Sequence, residues 1–238
     1  MSEGWLLSRI SLRRDASVAA LLPLLEPARP GVGHHLLWYL FADEPARRRD
    51  FLWREIAPGR FLVLSARSPE DHHGLFDIES KPFAPVLAAG DRFWFSLRAN
   101  PTVAKRSAKE VRSKRRDVVM NAIYDKPTKG RAAARSEAIL TAGYSWLAAR
   151  AVRCGFALPP ENSARTLEGL RISGYRVEQI ARGAAKGLTV ARLDFDGVLT
   201  VTDPQRFLAA LTRGIGPAKA YGCGLLLIRR ARRGGDFD

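Results

Sequence analysis

The order of elements along this 238-residue chain predicts an α+β protein of two tandem βαββαβ units with antiparallel sheets, the ferredoxin-like or RRM-like plan. Three observations carry that expectation. Apolar residues alternate with period two in several short segments, helical periodicity runs between them, and both halves of the chain show the same mixture. The expected division gives an N-terminal domain at 1–103 and a C-terminal domain at 104–238.

In order, GWLLSRISL (4–12) reads as a strand and HHLLWYLF (34–41) as a helix, with Trp38 and Phe41 one turn apart on a core face. RFLVLSAR (60–67) is a strand. DRFWFSLRA (91–99) sets Phe93, Phe95 and Leu97 against Trp94, Ser96 and Arg98, so it is a two-faced strand. The stretch from Lys105 to Arg135 lacks sustained apolar periodicity apart from VVMNAIY, and DKPTKG is a turn. It is expected to be a strand flanked by basic loops rather than a packed helix. ARSEAILTAGYSWLAARAV then places Leu140, Tyr144, Leu147 and Ala151 on one helical stripe. LTVARLDFDGVLTVTD (188–203) reads as a hairpin turning at Asp196-Gly197. In DPQRFLAALTRG, Asp203 caps a helix, Pro204 opens it, Phe207, Leu208 and Leu211 form its apolar face, and Gly214 closes it. CGLLLIRRA returns as a strand, and RRARRGGDFD is a frayed tail.

Charge narrows the function. The chain has 39 Lys and Arg against 24 Asp and Glu, a net charge of +15 and a pI near 10.7. More than half of the excess lies between Lys105 and Arg135, where eleven basic residues face three acidic ones. Such a density of one sign points to a polyanionic partner, most simply nucleic acid; a solvated basic linker is the plain alternative. Cys154 and Cys223 supply neither a disulfide framework nor a metal pattern, which fits a reducing cytoplasm. No apolar run approaches the roughly 18 residues of a membrane span, and the N-terminus lacks the order of a signal peptide.

Two further patterns bear on chemistry. The four histidines are His34, His35, His72 and His73, the side chains that titrate nearest neutrality. SPEDHHG reads as a turn, and its EDHH supplies too few ligands for a metal by itself. GIGPAKAYGCGLL (214–226) gathers Gly214, Gly216, Gly222 and Gly224 around Lys219. Glycine at that density marks a phosphate cradle, a tight packing turn, or both. The Walker spacing of a nucleoside-triphosphate loop is absent, as is the aromatic signature of a generic RRM.

Taken with LRANP (97–101), FDGVLTV (195–201) and HHLLWYLF…RRRDFLWR (34–41, 47–54), that loop gives the chain its resemblance. The four segments, in the family's order, resemble the CasE-type endoribonucleases of type I-E CRISPR systems, members of the RAMP superfamily. The resemblance implies two ferredoxin-like domains, binding of the CRISPR repeat stem-loop in precursor crRNA, and metal-independent cleavage at its 3′ base. It also implies retention of the crRNA among the other Cascade subunits, with no cofactor, no metal and no membrane. The family's catalytic histidine stands four residues before the Trp of its LW pair, which is His34 here; His35 and Tyr39 are possible auxiliaries. Many relatives carry a Tyr three residues before that histidine, and this chain has Gly31 there. An RNA-binding Cascade subunit with little or no cleavage is therefore the competing expectation.

RNA contacts are expected from an extended basic arm, since compact elements enter an A-form major groove poorly. Its residues are Lys105, Arg106, Lys109, Arg112, Lys114, Arg115 and Arg116. In the loop, glycine N–H groups would meet phosphate oxygens while Lys219 adds a point charge. Arg98 matches a family motif at a strand end and either faces RNA or forms a structural salt bridge.

Overall fold

The computed structural model describes residues 4–15, 36–41, 49–105, 114–159, 169–182 and 185–231. Among these, no helix is long and apolar enough to cross a membrane.

Two antiparallel sheets organise the chain. The first contains β1 (Leu6–Leu12), β2 (Phe51–Ala57), β3 (Arg60–Ser65) and β4 (Phe76–Pro82) in the order β2-β3-β1-β4. β3 returns between β2 and β1, which is the strand order of a βαββαβ unit. The second sheet runs β11 (Leu226–Arg230), β5 (Arg92–Ala99), β10 (Ala185–Val201), β8 (Phe156–Ala157), with β9 (Arg171–Arg182) also paired to β10. Its two central strands and outer return strand repeat the first plan. Between the sheets in sequence lie a hairpin, β6 (Thr102–Lys105) and β7 (Lys114–Asp117), then helices α1 (Val118–Ala122) and α2 (Thr128–Ala151). Helix α3 (Pro204–Arg213) precedes the glycine loop.

Alternation along the strands gives each sheet two different faces. In the first, Phe51, Trp53, Phe61 and Val63 join Ile10 and the helical residues Leu36, Leu37 and Leu40 in one core. Leu52 and Leu64 point the other way and pack with Leu225, just before β11. In the second, Phe93, Phe95, Leu97, Leu193 and Phe195 meet the helices through Trp146, Leu147, Phe207 and Leu211. The remaining faces of β2 and β5 meet at a seam between the sheets. There Arg54 donates to the Ser96 hydroxyl at 2.7 Å, and Arg98 makes a two-pronged pair with Asp194 at 2.8 and 3.1 Å.

Several expectations from the sequence change here. The strand at 92–99 belongs to the second sheet, so the change of sheet falls between Pro82 and Arg92 rather than at residue 103. Alternation defines a strand but not its neighbours. Residues 188–203 do not form a hairpin: Asp196 and Gly197 lie inside one continuous β10, paired with Ser96 and Phe95. A Cβ at Gly197 would stand 3.1 Å from the Gly169 carbonyl, so the glycine answers a close backbone approach. In the basic stretch, 118–122 is helical and α2 already starts at Thr128. The buried stripe of α2 is Ala138, Gly143, Trp146, Leu147 and Ala151, whereas Leu140 is exposed. On α3, Ala210 takes the buried place expected of Leu208, while the Asp203 cap and the Gly214 terminus hold.

The seam predicts its own fragility. Asp194→Asn leaves two largely buried guanidinium groups without a counter-charge, and should cost about 3 kcal/mol of unfolding free energy in urea titration. Asp196→Asn, one pair of residues along the same strand, breaks only a surface ion pair with Arg171 and should cost less than about 1 kcal/mol.

Candidate nucleic-acid interface

The basic hairpin is rooted firmly. Trp146 Nε1 donates to the Thr102 carbonyl at 3.2 Å, and Arg150 lies over the Trp146 ring, 3.9 Å from its centroid, while donating to that same carbonyl at 3.4 Å. On the other strand, Asp117 accepts from the Val119 N–H at 2.9 Å and from the Tyr175 hydroxyl. Burial, then this contact with the Asp117 carboxylate, holds the Tyr175 phenol well above its usual range. The register pairs Thr102 with Asp117, Val103 with Arg116 and Ala104 with Arg115. Period two therefore places Thr102, Arg115 and Asp117 on one face and Val103 and Arg116 on the other. Arg115 is exposed at the edge of a cleft; Arg116 sits over the Tyr124 ring at 5.3 Å. Lys105 and Lys114 form the last described rung, and Arg106, Lys109 and Arg112 lie outside the described residues.

That cleft, about 530 Å³, opens between the hairpin root, β9–β10 and the glycine loop. Arg49, immediately before β2, and Lys219 both line it. Burial, and secondarily the proximity of Arg49, pushes the Lys219 ammonium below the ordinary lysine range. Burial alone lowers the Arg49 guanidinium. Arg49 lies in the RRRD run quoted above, yet nothing in the sequence singled it out from its basic neighbours.

The glycine loop resolves toward packing. Gly214, Gly216, Gly222 and Gly224 all have positive φ. A Cβ would stand 2.8 Å from the Leu52 side chain at Gly214, 3.1 Å from the Trp146 ring at Gly216, and 3.2 Å from the Trp53 ring at Gly222. The loop thus lies against the first sheet on one side and helix α2 on the other. Two of the amides expected to cradle phosphate are already committed: Gly214 N–H donates to the Ala210 carbonyl and Gly224 N–H to the Arg98 carbonyl. Close approach of rings and backbone, together with positive φ, requires glycine at these positions. Lys219 remains the loop's cation at the cleft, delivered by Ala218 in left-handed conformation at φ 61°.

Arg98 resolves toward the structural salt bridge. Its pairing with Asp194 raises its pKa despite burial, and the guanidinium also donates to the Glu55 carbonyl at 3.4 Å. Arg54, farther from Asp194 at 4.0 Å, shows the opposite direction because burial outweighs that weaker attraction. Arg98 therefore works at the seam, two residues before the cleft residue Asn100. His34 and His35 lie outside the described residues. Tyr39 is exposed on the 3-10 turn Tyr39–Phe41, and its ring stands edge-on to His73 at 6.0 Å. His72 and His73 form the expected turn, in which Asp71 accepts from the N–H groups of His73 and Phe76.

The depressed lysine has a measurable consequence. A base with lowered pKa in the folded state opposes folding while charged, and that cost disappears as pH rises from its folded pKa to its ordinary value near 10.5. Lys219→Met should therefore raise the urea midpoint at pH 7, with the gain shrinking as pH approaches 10.5. A gain that does not vary with pH would contradict this assignment.

Comparison with known proteins matches residues 5–230 to the family model described as CRISPR associated protein. The chain is 34% identical over 199 residues to the CRISPR-associated endoribonuclease Cse3 of Thermus thermophilus, covering 81% of this chain and 79% of that protein. It is 30% identical over 200 residues to the Cascade subunit CasE of Escherichia coli K12, covering 81% and 88%. Among solved structures, Cse3 bound to a 19-nucleotide RNA superposes with TM-score 0.66 at 30% identity, over 96% of this chain and 100% of that one. Sequence and fold agree over nearly the whole length, so the chain belongs to the CRISPR-associated protein family, in its CasE-type branch.

Proposed function

We propose that this protein is the endoribonuclease that processes the CRISPR repeat. It binds the repeat stem-loop in precursor crRNA, cleaves at the 3′ base of the stem without a metal ion, and keeps the crRNA within Cascade. The observation that carries this reading is the likeness, at 34% identity, to a Thermus protein named as an endoribonuclease, which has been solved bound to an RNA representing a pre-cleavage complex. The Escherichia coli relative is named as a Cascade subunit, which supports the same setting for the product.

Ribose chemistry explains how cleavage proceeds. The 2′-OH is the nucleophile: its oxygen bonds to phosphorus as the bond to the departing 5′ oxygen breaks, leaving a 2′,3′-cyclic phosphate and a 5′-OH. Protein groups must move one proton off the 2′-OH and one onto the leaving oxygen, work suited to an imidazole near neutral pKa. His34 takes that role in our reading, with His35 and Tyr39 as auxiliaries. The basic segment of Lys105, Arg106, Lys109, Arg112, Lys114, Arg115 and Arg116 supplies phosphate contacts, and Lys219 adds further positive charge. A second reading, a Cascade subunit that binds the repeat and scarcely cuts it, is favoured by Gly31 standing where many relatives have Tyr.

One assay separates the two. Repeat RNA incubated with the protein in EDTA should yield a cyclic-phosphate product, whereas His34→Ala, or a substrate with 2′-deoxyribose at the cut site, should bind and remain intact. Wild-type rates from His34→Ala would remove the histidine from the mechanism; tight binding without product from the wild type would establish the second reading. For the arm, neutralising Lys114, Arg115 and Arg116 together should reduce the slope of log affinity against log salt by about 2 to 3, near one per lost phosphate contact. An unchanged slope would exclude the arm from binding.

A further inference from the structure

The cleft beside the glycine loop carries more than positive charge. Asn100 is buried, lines the cleft, and its side-chain oxygen has no hydrogen-bond partner. Arg49 lines the same cleft with its Nε buried and likewise unpartnered. Buried polar atoms without partners are few in native proteins, because each costs about 1–3 kcal/mol. Two residues lining one cavity thus carry unmet needs of opposite type: Arg49 lacks an acceptor and Asn100 lacks a donor.

Charge specifies the acceptor. Arg49 and Lys219 face the cleft with no carboxylate pairing with either of them among the described residues. Among the described residues the one carboxylate lining it, Asp117, is occupied by the Val119 N–H and the Tyr175 hydroxyl. Ala218 accepts left-handed backbone immediately before Lys219, a strain of about 1–2 kcal/mol that persists where surroundings or function require it. Met120 and Val177, both exposed apolar side chains, and Leu188 form another wall. A volume of about 530 Å³ falls within the about 300–1,000 Å³ of small-ligand sites.

We propose that this cleft is a pocket for one nucleotide, with phosphate held by Arg49 and Lys219, a base laid against Met120, Val177 and Leu188, and an N–H or O–H of base or sugar donated to Asn100. The recognised unit is a nucleoside monophosphate, free or within an RNA strand. Seating an unpaired nucleotide of the repeat RNA there rests on the function proposed above; the pocket itself does not. Asn100 makes the site discriminating, since a purely cationic cleft would take any phosphate alike.

The test titrates the full chain calorimetrically with inorganic phosphate and with each of the four nucleoside 3′-monophosphates. Wild type should bind at least one nucleotide about tenfold more tightly than phosphate. Asn100→Leu should erase that preference yet still bind phosphate, which also reports that it is folded. Arg49→Met and Lys219→Met, the latter on a half-exposed loop that tolerates change, should weaken both ligands about tenfold. Equal affinity of the wild type for phosphate and all four nucleotides overturns the proposal, as does full preference retained by Asn100→Leu, or wild-type affinity for both ligands retained by Lys219→Met. The repeat RNA distinguishes strand from free nucleotide: a bound strand should displace the mononucleotide from wild type if the pocket seats an RNA residue, and failure to displace it assigns the pocket to free nucleotide. Cleavage measured in parallel keeps the claims separate. Repeat cleavage without nucleotide preference sinks the pocket alone, and nucleotide preference without cleavage sinks the nuclease alone.

Discussion

Asp194 stands between two arginines at the seam where the sheets meet, and the contact of β2 with β5 is built around satisfying it. Arg98, from the same sheet, grips both carboxylate oxygens, while Arg54 approaches from the first sheet at 4.0 Å and anchors on Ser96. Charges taken out of water are tolerated only when paired and hydrogen-bonded. The arrangement therefore fixes how β2 lies across β5, to within the reach of a guanidinium. Leu52, Leu64 and Leu225 seal the same junction and keep water from weakening it.

With the sheets fixed, the glycine loop has little choice of position. It must pass between Leu52 and Trp53 on one side and Trp146 on the other, and only residues without a Cβ fit against those side chains at the observed spacing. The same Trp146 donates to Thr102 at the hairpin root. One indole thus couples the loop to the basic arm, and the cleft is the space left between them. The cleft occupies the interstices of a packed joint, which holds the cations Arg49 and Lys219 close together.

Much of this was legible from residue order. The alternation in 91–99, the capped helix from Asp203, and the concentration of charge after Lys105 each have a local cause, and local causes survive without the fold. The stripe of α2 was misread at Leu140 because two adjacent helical faces are apolar and only the partner selects between them. The Asp196-Gly197 turn was misread because the dipeptide suits a turn and equally suits a strand that another backbone crosses closely. His34 was reached through family resemblance, whereas Arg49 and Asn100 carry no motif that would distinguish them from neighbours.

The amino-acid order by itself determined the α+β class, the cationic character, and the presence of a loop unable to accommodate side chains, because these depend on neighbouring residues and on composition. Which strand joined which sheet, that Arg98 pairs with Asp194, and that the glycines lie against Leu52 and two indoles were decided only by tertiary structure. Each of those outcomes turns on partners distant in sequence, as Arg98 and Asp194 are, and desolvation at the seam selects among partners only once the sheets have come together.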